Sequence, residues 1–239
     1  MPLALVTGAG IRVGRAVALA LAEAGYDLLL HVNRSVEPAA ELAEEVRSMG
    51  REATVLRADL SDPRAIASLV DEVTKHSDTL DVLVNNAGIY ESCAFEAIDP
   101  SKFETMLSLH VRAPFFLTQG LLPLLRKSSS ASVINITDSD VERPYGGFAH
   151  YFTSKGALDM LTRVLAIELA PEIRVNAVGP GTVAVPVGMD ADEAQGLIGG
   201  IPLRRFGDVG DIGQAVRFLV TSGTYMTGQS LRVDGGRST

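Results

Sequence analysis

Apolar residues follow two rhythms along the chain. Short β-branched or leucine-rich runs predict strands over 3–6, 27–32, 53–57, 82–85, 133–137, 174–178 and 230–233. Between them, apolar positions recur at helical spacing over 14–24, 38–49, 63–76, 100–126, 149–169 and 208–221. Most strand runs are apolar at successive positions rather than alternately, which predicts a parallel sheet covered on both faces. Alternating β and α segments joined by right-handed crossovers give an α/β, doubly wound, Rossmann-type parallel sheet of about seven strands flanked by helices. No internal repeat or linker divides the chain, so a single domain over 1–239 is expected. "KSSSAS" (127–132) reads as an exposed loop. Residues 179–206, rich in Gly, Pro and small side chains, read as a long loop beyond a strand's carboxyl end, where ligands bind, and are expected to form a substrate lid.

Composition narrows the function classes. The 239 residues are 46% hydrophobic and 21% charged, enough for one sizeable core. No run reaches the roughly 18 uncharged apolar residues of a membrane span, so no membrane partner is expected. The start, "MPLALVTG", is too short and lacks a basic flank; it reads as a buried first strand, not a secretory signal. The lone Cys93 cannot close an internal disulfide, which fits a reducing cytoplasm, and it is expected to be a small apolar filler. The four His residues are scattered and no Cys/His cluster has metal-ligand spacing, so no metal is expected. A net charge of −8 repels a polyphosphate backbone and argues against nucleic acid. A small anionic ligand at a local basic site remains open, with Arg12 and Arg34 as candidates.

The candidate chemistry begins at "LVTGAGIRVGRAVA" (5–18). Gly8 follows the first strand and Gly14 opens the first helix, where glycines let the backbone approach a pyrophosphate and present free N–H groups. Arg12 stands where many such turns carry a glycine. The second strand ends in "HVNRS" (31–35), with no acid to hold a ribose 2′-hydroxyl. Arg34 offers a guanidinium fork and Asn33 and Ser35 neutral donors, a set suited to a 2′-phosphate, hence NADP(H) over NAD(H). Arg12 supplies a second charge, to the same cofactor's phosphates or to the ligand. In "RADLSD" (57–62), Ser61 or Asp62 can cap the next helix, which leaves Asp59 free beside the adenine. Tyr151 and Lys155 of "YFTSK" are four apart and share one helix face. A neighbouring ammonium and the nicotinamide charge are expected to lower the phenol's pKa and make it an acid usable at neutral pH. "INITD" (134–138) and "NNAG" (85–88) end strands with polar groups on the same sheet edge.

With its ordered set TG…G, NNAG, YxxxK, "VGPG" and "YMTGQSLRVDGG", the chain resembles the short-chain dehydrogenase/reductase family over essentially its whole length. The resemblance implies a nicotinamide cofactor and hydride transfer with Tyr151 as acid/base. Lys155 would orient the ribose and Asn85 would support the fourth strand's end. It also implies that Val13, Leu60, Asn86, Ala87, Gly88, Pro180, Gly181 and Val183 contact the cofactor. The family commonly forms homotetramers by pairing its long helices, and 148–170 is apolar over much of its circumference, which fits burial on more than one side. Three positions depart from the general pattern. Arg12 replaces a glycine, Asp138 stands where most members place a catalytic Ser, and His110 stands where an Asn usually completes a proton relay. The first two resemble the pteridine reductases and the bacterial dihydromonapterin/dihydrofolate reductases, as do "TDSDVER" (137–143) and "LAPEIRVN" (169–176). That branch implies a pterin-like substrate stacked on Tyr90 and bound by Arg12, Asp138 and Tyr151. Reduction of a C=N bond would then take its proton from an Asp138–Tyr151 relay. A carbonyl reductase acting on a 3-oxoacyl or sugar-like substrate is the alternative, and a non-enzymatic NADPH-binding protein a third. His110 is expected to make a structural hydrogen bond, and Glu142 and Arg143 a surface ion pair.

Overall fold

The computed structural model describes residues 1–184 and 190–239. Seven parallel strands form one sheet: β1 (Leu3–Thr7), β2 (Asp27–Val32), β3 (Ala53–Arg57), β4 (Val82–Asn85), β5 (Ser132–Ile136), β6 (Arg174–Pro180) and β7 (Ser230–Val233), in the order β3-β2-β1-β4-β5-β6-β7. The strands are apolar at successive positions because each face of the sheet has its own core. On one face Ala4, Val6, Leu28, Leu30, Val82 and Val84 pack against α1 (Arg12–Glu23), α2 (Val36–Ser48) and α8 (Val209–Thr221) through Val17, Leu21, Leu42, Val46, Ile212 and Val216. On the other, Leu3, Leu5, Leu29, Leu83 and Val133 pack against α3 (Pro63–His76), α5 (Ala113–Leu125) and α6 (Ala149–Glu168) through Leu69, Val73, Leu117, Leu121 and Ala166. Adjacent residues point to opposite faces, so both must be apolar.

Two predicted elements differ. The helix expected over 100–126 is α4 (Pro100–Leu107), a single wide π-type turn at Ser108–Arg112, and α5. The segment 179–206 is not one loop. β6 runs on to Pro180, and α7 (Ala191–Gly199) occupies the later part; residues 185–189 of the expected lid lie outside the described residues. Among the described residues no helix is long and apolar enough to cross a membrane.

Candidate active site

Because every strand pair is parallel, all carboxyl ends lie on one edge, and the strand order reverses between β1 and β4 to open a crevice there. The first half of the site is the turn after β1. Gly8 has φ +65, and a Cβ on it would lie 2.9 Å from Ala87 Cα. A Cβ on Gly14 would lie 2.1 Å from the Gly8 carbonyl oxygen, so α1 can close on this turn only with glycine. The Asn86–Gly88 segment latches the turn from β4. The Asn86 side-chain amide donates to the carbonyls of Thr7 (2.8 Å) and Gly8 (3.1 Å). The Thr7 hydroxyl accepts from the N–H groups of Asn86 and Ala87 and donates to the Val84 carbonyl. His31, buried in β2, bridges the same turn to β3. Its Nε2 bonds the Ala58 carbonyl (3.1 Å), which can only accept; Nδ1 is then the acceptor for the Gly8 N–H (3.4 Å). Burial holds the His31 pKa down at about 4, so the ring is neutral.

This turn suits an anionic group. The aspartates Asp62, Asp99 and Asp208 cap α3, α4 and α8, whereas α1 begins at Ile11 with no side-chain cap and no acid in its first turn, leaving its N–H groups for a ligand. Arg12 holds the left-handed conformation, φ 51, that favours glycine at a cost of about 1–2 kcal/mol. Its exposed guanidinium lines a groove between α1 and the start of α8. Arg34 and Asn33 are exposed just past β2, beside half-buried Ser35. Of the other residues expected at a cofactor, Leu60 is buried in the core on the α3/α5 face and has only backbone to offer, and Val13 packs against the core on the opposite face of the sheet. The Gly181 N–H donates to the Val233 carbonyl, and Val183 packs beside Gly207, which ties the end of β6 to β7. Asp59 is exposed just past β3 and does not cap α3, as expected. Its Oδ1 accepts from the Ser61 hydroxyl (2.7 Å) and N–H (2.9 Å), and these bonds hold its pKa below the usual range. Asp62 alone caps α3, accepting from the Arg64 N–H.

The second half of the site joins β5 to α6. The Tyr151 hydroxyl donates to Asp138 Oδ2 at 2.8 Å, and Asp138 Oδ1 accepts from the Asp140 N–H at 2.8 Å. Burial pushes the Asp138 carboxyl up. Burial first, then the Asp138 charge, push the Tyr151 phenol well above its usual value. The sequence led us to expect the opposite for Tyr151. Lys155 does not lower it, because Nζ donates to the Ile136 carbonyl at 2.7 Å and stands 5.9 Å from the phenol ring centroid. Burial brings Lys155 down to about 8. His110, at the π-type turn, accepts from the Ile89 N–H at Nε2 (3.1 Å) and bonds the Ser154 hydroxyl through Nδ1 (2.8 Å), as a structural role requires. Burial and the neighbouring Lys155 charge bring its pKa to about 2. Asn85 reaches Asn135, which donates in turn to Thr162, and so braces β4 to β5 and α6.

Tyr90 stacks on Phe148 (4.5 Å between centroids), meets the Tyr151 ring edge-on (4.9 Å) and bonds the Tyr145 hydroxyl (2.7 Å). The result is an aromatic wall over the Tyr151–Asp138 pair, with Tyr90 half exposed. Arg237 anchors this wall from the carboxyl terminus, pairing with Asp140 (2.9 Å) and lying 5.8 Å from the Tyr145 centroid. His31, Ser154, Tyr145, Phe148 and Arg237 were not singled out from sequence. Only His31 left a signal, a polar residue inside an apolar strand. The expected Glu142–Arg143 pair does not form: Glu142 pairs with Arg232, and Arg143 donates to the carbonyls of Arg237 and Thr239.

A family model described as enoyl-(acyl carrier protein) reductase matches residues 8–238. An uncharacterized oxidoreductase of Mycobacterium tuberculosis is 37% identical over 239 residues, 98% of this chain and 90% of that protein. A 3-oxoacyl-[acyl-carrier-protein] reductase FabG of Staphylococcus epidermidis is 32% identical over 237 residues, 98% of this chain and 97% of its own. A blue fluorescent protein from a metagenomic library, solved in complex with NADPH, superposes with a TM-score of 0.93 at 32% identity, covering 100% of this chain and 98% of that one. A short-chain dehydrogenase/reductase from Serratia marcescens also superposes at 0.93 and 32% identity, with the same coverage. None of these names mentions a pterin; the FabG name sides with the carbonyl alternative. The glycine turn, the strand order and the Tyr151–Lys155 pair agree with these matches: the chain belongs to the short-chain dehydrogenase/reductase family and is an oxidoreductase.

Proposed function

We propose that the chain is an NADPH-dependent reductase of a pterin-class substrate, such as a dihydropterin, acting on a C=N bond. The Tyr151–Asp138 hydrogen bond under the Tyr90 ring carries this reading. NADPH, when bound, supplies the hydride. The uncapped start of α1 would take its phosphates, with Arg34, Asn33 and Ser35 at the 2′-phosphate and Lys155 at the ribose. The NADPH of the metagenomic neighbour supports that assignment. Tyr151 holds a proton at its hydroxyl, and burial favours the neutral form of both Tyr151 and Asp138. The pair is therefore built to keep a proton until a substrate nitrogen takes it, with Asp138 resupplying the phenol. A flat heterocycle resting on Tyr90, with Arg12 at its polar edge, completes the arrangement.

Reduction of a 3-oxoacyl carbonyl is the second reading, favoured by the FabG and ketoacyl names of the relatives. Asp138 beside Tyr151 opposes a developing oxyanion only in its ionised form; the neutral form that burial favours can donate to one. The exposed apolar stripe Met160, Val164 and Ile167 on α6, with Phe115 and Phe116 on α5, supports pairing of these helices in a homotetramer. The test follows NADPH oxidation with dihydropterins, 3-oxoacyl thioesters and simple ketones in parallel. Turnover with pterins is expected; turnover with thioesters or ketones alone overturns the pterin reading.

A further inference from the structure

The turn behind Asp138 is held from the far end of the chain. After β7, Gly235 takes the left-handed conformation, φ 66, and reverses the chain. Asp234 fastens this reversal, its carboxylate accepting from the N–H groups of Gly236 (2.8 Å) and Ser238 (2.9 Å). Arg237 is thereby delivered to the short helical turn Ser139–Glu142 that Asp138 begins. There its Nε donates to Asp140 Oδ2 at 2.9 Å, with the two side chains only 19% and 9% exposed. Glu142 pairs with Arg232 (2.8 Å) from the same turn, but at the surface, where such a pair contributes little. Asp140 acts on Asp138 in two ways. Its N–H donates to Asp138 Oδ1 at 2.8 Å, which fixes the carboxyl under the Tyr151 hydroxyl. Its carboxylate is also a like charge: burial is the first cause that raises Asp138, and the Asp140 charge adds to it. The other titratable groups around Asp138 are Tyr151 and Lys155 from α6, Tyr90 after β4 and Tyr145 before α6. The segment carrying Tyr90 has its own anchor, since the Cys93 N–H donates to the Gly147 carbonyl at 2.8 Å. The Cys93 thiol stands half-buried beside Lys102 Nζ (3.6 Å) rather than packed as the apolar filler expected from sequence.

We propose that Arg237 is a positioning residue for the proton pair: by pairing with Asp140 it fixes the N–H that Asp138 accepts and cancels the charge that Asp140 would otherwise present to it. The inference rests on the assignment of proton transfer to Tyr151 and Asp138, and it holds whether the acceptor is a C=N nitrogen or a carbonyl oxygen. As the phenol gives its proton to the substrate atom, the Asp138 carboxyl gives its own to the phenol. Turnover therefore needs neutral Asp138 and falls when rising pH removes that proton. Without Arg237, the uncompensated Asp140 carboxylate favours the neutral form of Asp138, and the fall moves to higher pH. Lysine at 237 keeps the charge and so keeps the fall in place.

The test is kcat for NADPH oxidation against pH, with whichever of the dihydropterins, 3-oxoacyl thioesters and ketones turns over, and with NADPH binding as the check on folding. Asp138→Asn identifies the fall that belongs to Asp138, because that variant lacks it. In Arg237→Gln the fall is expected to move up by about one pH unit. In Arg237→Lys, and in the double variant Arg237→Gln with Asp140→Asn, it is expected at its unaltered position. The contact between Arg237 and the Tyr145 ring is lost in both Arg237→Gln and the double variant, so a difference between them belongs to Asp140. A fall that stays in place in Arg237→Gln, or that moves equally in the double variant, overturns the role of Arg237 and leaves the proton pair standing. Where Arg237→Gln does not fold, the double variant decides, because it removes a buried charge pair without stranding either partner; a displaced fall there overturns the proposal. An Asp138→Asn variant with unaltered kcat and pH profile overturns the proton pair itself, and the role of Arg237 with it.

Discussion

The two halves of the site use buried polarity in opposite ways. Around the β1 turn, the polar groups of Thr7, Asn86 and His31 are engaged with backbone, and His31 is held neutral between the Gly8 N–H and the Ala58 carbonyl. Around Tyr151, polar groups are held where their proton affinities are displaced: Asp138 up, Tyr151 up, Lys155 down to about 8. The first arrangement shapes a backbone cradle and has no chemistry of its own. The second holds the Tyr151–Asp138 pair to which the proton transfer is assigned above. Displaced pKa values alone do not separate the two, since burial displaces His31 as well; the Tyr151–Asp138 hydrogen bond does. The contrast also gives the buried histidines their place, since His31 and His110 fasten segments and do not titrate near neutrality.

The largest expected effects come from breaking the second half. Tyr151→Phe removes the proton donor and is expected to lower kcat about 10²–10⁴-fold, with NADPH binding unchanged by fluorescence titration. Asp138→Asn keeps the shape and a hydrogen bond to the phenol but cannot resupply a proton; kcat should fall by a similar factor. Unchanged turnover in Asp138→Asn would remove the relay from the proposal and make that half scaffold like the first.

Acid should break a fastening in each half, His31 in the first and His110 in the second. His31 and His110 titrate at about 4 and about 2 in the folded chain, below the ordinary value of about 6.5. Below 6.5 the unfolded chain binds protons that the folded chain refuses, so stability is lost as pH falls through that window. Between pH 7 and 5 each ring contributes a loss of about 2 kcal/mol. Urea unfolding at the two pH values should show a net drop, offset in part by the raised Asp138 carboxyl, and His110→Asn should shrink it. A flat profile would mean that these rings are not held neutral.

Most of this contrast was not legible in the sequence. The strands, the glycine turn and the Tyr151/Lys155 pair were, because alternation, backbone clearance and helix spacing are local. The direction of the Tyr151 shift was not. It depends on burial and on where Lys155 donates, and that is set by β5, nineteen residues back at Ile136. Tyr145, Phe148 and Arg237 were silent because the wall they build joins a surface turn, a helix start and the carboxyl terminus, which no period or spacing connects.

A smaller effect sharpens the cofactor half. Arg34→Gln removes the charge assigned to the 2′-phosphate and is expected to raise KM for NADPH about 10–100-fold while leaving KM for NADH within about twofold. The ratio of the two cofactors' kcat/KM values measures this directly. Equal changes for both would place Arg34 at the pyrophosphate, beside Arg12 and the uncapped α1 terminus.

The smallest effect bears on the wall that joins the two halves. Tyr90 offers one face to Phe148 and is half exposed on the other, and its hydroxyl is tied to Tyr145. Replacing it by leucine keeps an apolar surface but loses ring stacking, worth about 0.5–1.5 kcal/mol beyond area. That corresponds to roughly a two- to tenfold rise in KM for a flat heterocycle, with kcat little changed because Asp138 and Tyr151 keep their own bond. Tyr90→Phe keeps the ring and loses only the bond to Tyr145, so it should retain nearly the original KM. If Tyr90→Leu and Tyr90→Phe raise KM equally, the hydroxyl network fixes the substrate and stacking does not. If both instead lower kcat, the wall acts on Tyr151 itself through the edge-on contact at 4.9 Å, and the division between scaffold and chemistry lies one residue closer to the cofactor.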